Sequence, residues 1–205
     1  MKKHITLTLA LMTLMAYSTQ ADQEGLAASI KQAREEATMT ASQLTATLSA
    51  LNTLVGQTKG DLNPAFQAFR AEIPKTQNAA AATHARLETM SREKAQYFAE
   101  WQKAIDGINN NSLQKKAQKR LKTASEHYAE VEADLAKAGE KFRPFLSDLA
   151  DVEKALSMDV TARGIKNIKS VVRSANWNYN SVAGSINSAL KEMDKLEKDL
   201  SSQAS

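Results

Sequence analysis

Residues 117–156 read AQKRLKTASEHYAEVEADLAKAGEKFRPFLSDLADVEKAL, and the apolar spacing in this stretch decides the fold. Ala117, Leu121, Ala124, Tyr128, Val131, Leu135, Ala138, Phe142, Phe145, Leu149, Val152 and Leu156 follow one another at alternating steps of four and three. Side chains so spaced share one face of an α-helix and form a continuous seam. A seam of this period makes neighbouring helices cross at about 20°, as in bundles and coiled coils. Pro144 falls inside the unbroken seam, so it should kink the helix rather than end it.

Working outward, the last segment repeats the spacing: Ile165, Ile168, Val172, Ala175, Tyr179, Val182, Ile186, Ala189, Met193, Leu196 and Leu200. The first segment keeps it with weaker residues: Leu26, Ile30, Ala33, Ala37, Thr40, Leu44, Thr47, Leu51 and Leu54. The second is the least regular. Its Phe69, Ile73, Ala80, Leu87, Met90, Tyr97, Trp101, Ala104 and Ile108 are interrupted by Thr76, Thr83 and Lys94, and Pro74 offers a place to split it. Gly56–Asp61 has a turn composition, and Asn63-Pro64 suits a helix start with Pro at the first position. Gly107–Asn111 closes the second helix, Ser112 can cap the third, and Thr161 can cap the fourth. The expected fold is all-α: an elongated antiparallel helical bundle of three or four long helices with coiled-coil-like packing.

Composition agrees. The 205 residues include no cysteine, three prolines and seven glycines, and only 5% are aromatic. This argues against a β-rich fold, a disulfide scaffold, a thiol enzyme and a cysteine-ligated metal site. The start of the chain reads as an export signal. Lys2 and Lys3 precede an apolar run, Ile5–Ala16, and small residues then lead to a polar Asp22. We therefore expect a signal peptide over residues 1–21, cleavage after Ala21, and one helical-bundle domain over 22–205. The apolar run is shorter than the ~20 residues that span a bilayer. Without a cysteine there is no lipid attachment, so the expected destination is the periplasm, with no membrane span in the mature chain. Cleavage after Ala21 would remove two lysines and no acid from the 27 basic and 23 acidic residues, leaving 25 against 23, a net charge of +2 and too small a surplus to suggest nucleic acid.

Charges along the last two segments suggest a hairpin. Lys115, Lys116, Lys119, Arg120 and Lys122 crowd the start of the third helix, and acids close it. The fourth opens with Arg163, Lys166, Lys169 and Arg173 and has no acid before Glu192. Folding back between residues 159 and 160 would place Lys166 against Glu153 and Lys169 against Asp148 and Asp151. It would also place Lys122 against Glu197 and Lys119 against Asp199.

Several residues from Phe98 onward have a familiar arrangement: Phe98-x-Glu100-Trp101, Asn110-x-Ser112-Leu113, Lys141-x-x-Pro144-x-Leu146, Asp151, Leu156 and Ala162-x-x-Ile165. Over about residues 98–165 the chain resembles a proteobacterial family catalogued as domain of unknown function 2959. Many members of that family carry Lys-His-Asn-Leu-Asn-Ala where this chain has Ser157–Ala162. The resemblance implies a helical, coiled-coil-like protein and brings no activity with it.

No motif for chemistry emerges. His84 and His127 have Ala81 and Ala124 at the third position before them, not the glutamate of a di-metal bundle. Phosphate-cradling, nucleophile-elbow and His-Glu-x-x-His patterns are missing. We therefore expect neither an enzyme nor a cofactor or metal ion. Two uncharged runs, Ala37–Thr58 and Ser174–Leu190, suggest cover by bundle neighbours or by a second protomer of a homo-oligomer. Trp101 lies on its seam and reads as core, whereas Trp177 lies opposite the seam of the fourth helix. Lys166, Lys169, Arg173 and Trp177, at steps of three, four and four, form one stripe and are the candidate partner-binding residues. Two functions fit. One is a non-enzymatic structural or interaction protein acting through long helical surfaces on itself or an envelope protein. The other is a binding module for an anionic envelope component: lipid headgroup, lipopolysaccharide or cell-wall polymer.

Overall fold

In a computed structural model of the chain, the backbone is described for residues 5–57 and 59–201 and the side chains for 25–57 and 59–200. Four helices carry the seams: α1 (Ile5–Gly56), α2 (Asn63–Asp106), α3 (Asn111–Met158) and α4 (Ala162–Ser201). The export signal expected over residues 1–21, with its cleavage after Ala21, lies outside the residues whose side chains are described. Between 40 and 52 residues long, the helices extend for about 60–78 Å at ~1.5 Å per residue. The expected antiparallel bundle is therefore elongated, with four helices.

Each helix packs on two neighbours. The hairpins α1–α2 and α3–α4 make the broadest contacts, α1 also lies along α4, and α2 meets α3 least; the diagonal pairs do not approach. Successive cross-helix pairs run in opposite order along each couple and so fix the directions as antiparallel: Arg34 with Asp194 and Thr45 with Tyr179, Thr40 with Thr83 and Thr47 with Thr76, Arg70 with Glu153 and Lys94 with Glu132. All nine seam residues of α1 are buried, as are those of α3 except half-buried Ala117 and Phe142, and those of α4 except half-buried Tyr179. The seams build two cores. One lies near the α1–α2 and α3–α4 turns, around Leu51, Phe69, Phe145, Leu149 and Ile168. The other lies toward the opposite end, around Leu26, Met90, Tyr128 and Leu196. Burying one such aliphatic or aromatic side chain contributes about 1.5–3 kcal/mol, so the seams, not helix propensity, hold the bundle.

Four expectations are corrected. Asn110, not Ser112, caps α3, its side-chain oxygen accepting from the Leu113 N–H at 3.1 Å. Pro74 does not split α2. It sits on the exposed side, where water can take the carbonyl its missing N–H leaves unbonded. Along α2 the seam steps by one residue near its end: Ile105 is buried while Ala104 is exposed. The interruptions in that seam are polar pairs across helices: Thr76 with Thr47, Thr83 with Thr40 at 2.8 Å, and Lys94 with Glu132 at 2.7 Å. Finally, the hairpin of α3 and α4 forms with its turn at Asp159–Thr161, but not with the expected ion pairs. Glu153 binds Arg70 of α2 at 2.7 Å, and Glu197 meets Arg34 of α1 at 3.3 Å. Asp199 faces His127 at 3.6 Å, and Lys122 turns to Glu126 of its own helix at 3.6 Å. A two-helix ladder omits α1 and α2, which compete for the same carboxylates.

Candidate interaction surface on the fourth helix

The geometry of α4 starts at its turn. Thr161 accepts the Gly164 N–H at 3.2 Å and donates to Asp159 at 2.6 Å, which sets the first turn. Ile165, Ile168, Val172 and Ala175 are then buried against α1 and α3. Helical geometry turns Lys166, Lys169, Arg173 and Trp177 to the outside, and all four are exposed, Trp177 to 62%. From Lys166 to Trp177 the stripe runs about 17 Å at ~1.5 Å per residue.

Trp177 is held in place from α3. Lys141 Nζ lies 5.5 Å from the centre of its ring, within reach of a cation–π contact. Lys166, Lys169 and Arg173 have no ion-pair partner within 4.0 Å among the described residues. Of the acids expected beside them, Glu153 is engaged by Arg70 and Asp148 by the Asn178 side-chain amide at 2.8 Å, while Asp151 has no ion-pair partner within 4.0 Å among the described residues. The cations also cluster near the positive end of the α4 dipole, with no acid in the first turn.

Lys141 was missed by the pattern of α4 alone. The hairpin register, which brings residues near 141 opposite Trp177, carried the signal. The other tryptophan is not fully core. Trp101 is half-buried, its ring centre 5.6 Å from that of Tyr97 and 6.3 Å from that of Phe98. Burial pushes the Tyr97 hydroxyl up to about 12 and moves the Tyr128 hydroxyl above its usual range. The hydrogen bond from Lys195, followed by that from His127, holds Glu192 below the usual carboxylate range despite its partial burial. Among the described residues, no group of three or more His, Cys, Asp or Glu side chains is placed to hold a metal ion. No helix among them is long and apolar enough to cross a membrane.

A family model matches residues 15–200, a span that includes most of α1 and nearly all of α4. The chain belongs to this family, described as protein of unknown function (DUF2959). The match extends the resemblance of residues 98–165 in both directions. None of the curated proteins matches the sequence. In this member of the family, the Lys-x-x-Pro-x-Leu stretch places Lys141 on α3 so that it meets Trp177, while Pro144 remains inside the helix.

Proposed function

We propose that the protein is a non-enzymatic interaction protein of the periplasm, which docks an envelope partner on the outer face of α4. One observation carries this reading: Trp177 is exposed beside Arg173, Lys169 and Lys166, three cations without ion pairs among the described residues. A solvent-facing tryptophan adds nothing to the core, yet tryptophan and arginine are the residues most often concentrated at binding hot spots. The unpaired cations favour a second form of the same reading, in which the partner is anionic: a lipid headgroup, lipopolysaccharide or cell-wall polymer. The charges would supply salt-screened attraction, and the indole would sit at a polar–apolar boundary.

The test is the double variant Arg173→Ala/Trp177→Ala. Exposed substitutions usually cost under ~0.5 kcal/mol, so helicity and melting should stay nearly unchanged. Retention on washed envelope fractions and crosslinks in the periplasm should be lost. Retention that falls steeply with salt marks an anionic partner, whereas salt-insensitive retention marks a protein surface. A variant that melts several degrees lower and keeps its partners assigns the stripe to the core and ends the proposal. Export has its own check: mass spectrometry of the native protein should find a chain beginning at Asp22, and full-length chain in membranes alone would refute it.

A further inference from the structure

The second and third helices part between the two cores. Lys94 reaches Glu132 on one side of the gap and Arg70 reaches Glu153 on the other, each at 2.7 Å. Between those ties, α2 presents Ala80 and α3 presents Ala136, Ala138 and Gly139. Side chains this short leave the space unfilled, and a slot of about 740 Å³ opens there. Leu87, Met90, Leu135 and Phe142 form its walls, and Val182 and Ile186 of α4 form its floor. A Cβ added to Gly139 would meet nothing within 4 Å. Protein interiors are close-packed, and clefts of about 300–1,000 Å³ with apolar walls and few polar groups are the usual form of a small-molecule site. The hydroxyls at the slot are already satisfied. The two hydroxyl protons of Thr40 and Thr83 share three acceptor contacts, the other hydroxyl at 2.8 Å, the Ala79 carbonyl 2.9 Å from Thr40 and the Glu36 carbonyl 3.2 Å from Thr83, so each hydroxyl always has an acceptor.

We propose that this slot binds an amphiphile with one long acyl chain and a zwitterionic head. Its length selects the chain. The lining runs from Ala80 to Ser91 on α2 and from Glu132 to Arg143 on α3, about 17 Å at ~1.5 Å per residue. A bilayer's hydrocarbon core of ~30 Å holds two chains end to end, about 15 Å each. Charges at the mouth select the head. Glu132 is engaged by Lys94 and by Ser91, and Glu88 lies 3.8 Å from His84. Glu140 and Arg143, one turn apart on α3, have no ion-pair partner within 4.0 Å among the described residues. An adjacent acid and base complement an ammonium and a phosphate on one head. A simple fatty acid would satisfy Arg143 and bring its carboxylate toward Glu140.

The full chain should be titrated with 1-palmitoyl lysophosphatidylethanolamine below its micelle concentration and observed by native mass spectrometry. One bound molecule per chain is expected, in the micromolar range, with palmitate binding at least fivefold more weakly. Gly139→Leu, which fills the slot from an exposed glycine, should weaken lysolipid binding at least tenfold while helicity and melting hold. Ala136→Leu is a second filler in case the first perturbs α3. Arg143→Glu should weaken the lysolipid severalfold. No lysolipid adduct, equal binding by palmitate, or unchanged binding by folded filler variants would each overturn the assignment. None of these readouts depends on Arg173 or Trp177, so this site and the α4 surface stand or fall separately.

Discussion

Gly164→Ala should destabilise the bundle although alanine is the better helix former. Gly164 is buried in the first turn of α4, and its Cβ would overlap the Asp159 carbonyl oxygen and lie 3.2 Å from the carbonyl carbon. That obstacle is backbone at the end of α3, so it cannot swing aside as a flexible side chain would. Overpacking of this kind costs about 1–3 kcal/mol. Moving the turn also weakens the Thr161 cap on the Gly164 N–H at 3.2 Å, worth ~1 kcal/mol. Alanine's helix preference returns about 1 kcal/mol. The net loss is about 2 kcal/mol, a fall in melting temperature of roughly 4–8 °C for a chain of this size. The control is Gly139→Ala, where nothing lies within 4 Å and φ is not positive. It should gain up to about 1 kcal/mol. Thermal unfolding followed by circular dichroism at matched pH reads both. If Gly164→Ala melts at or above the parent while Gly139→Ala behaves as expected, the close approach of α4 to Asp159 is wrong.

Four further outcomes follow from the packing. The Tyr128 ring is fully buried and its hydroxyl has no hydrogen-bond partner among the described residues, so Tyr128→Phe should be neutral or stabilise by about 1 kcal/mol in denaturant unfolding. Tyr128→Ala should cost about 3–5 kcal/mol by the same measurement. A double-mutant cycle of Thr47→Val and Thr76→Val should give a coupling of about 0.5–1.5 kcal/mol, since their hydroxyls bond across α1 and α2. Glu192 has a folded-state pKa below its ordinary 4.5. Its contribution is therefore full above that value and is lost as pH falls through the folded pKa. Melting temperature should fall on acidification below about 4.5, with a shallower slope in Glu192→Gln.

Three of the four helices were legible because their seams are strictly spaced, wholly apolar in α3 and α4 and interrupted only by Thr40 and Thr47 in α1. Val131, Leu149 and Leu196 can be buried only if α3 and α4 face each other and a further layer. The second helix was less legible. A periodicity that counts apolar residues reads Thr76 as a fault, whereas the fold buries it by giving its hydroxyl a partner on α1. The charge ladder of the hairpin failed for a related reason: Glu153 is taken by Arg70 of α2 and Glu197 by Arg34 of α1, and a two-helix register contains neither cation. Trp177 was legible as exposed because it stands off its seam. Lys141 was legible only through the hairpin register, which the pattern of α4 alone does not supply. The slot was hidden entirely. Ala80 and Gly139 look like ordinary helix residues until the fold sets them on opposite sides of one gap.

The most direct measurement of the α4 surface is site-specific photocrosslinking in living cells from position 177, with exposed Gly184 on the same helix as the reference position. A docking surface predicts a discrete adduct from position 177 that is absent from position 184 and is lost when Lys169 and Arg173 are both replaced by alanine. The same weak, diffuse products from both positions, unchanged by removing the two cations, would contradict it.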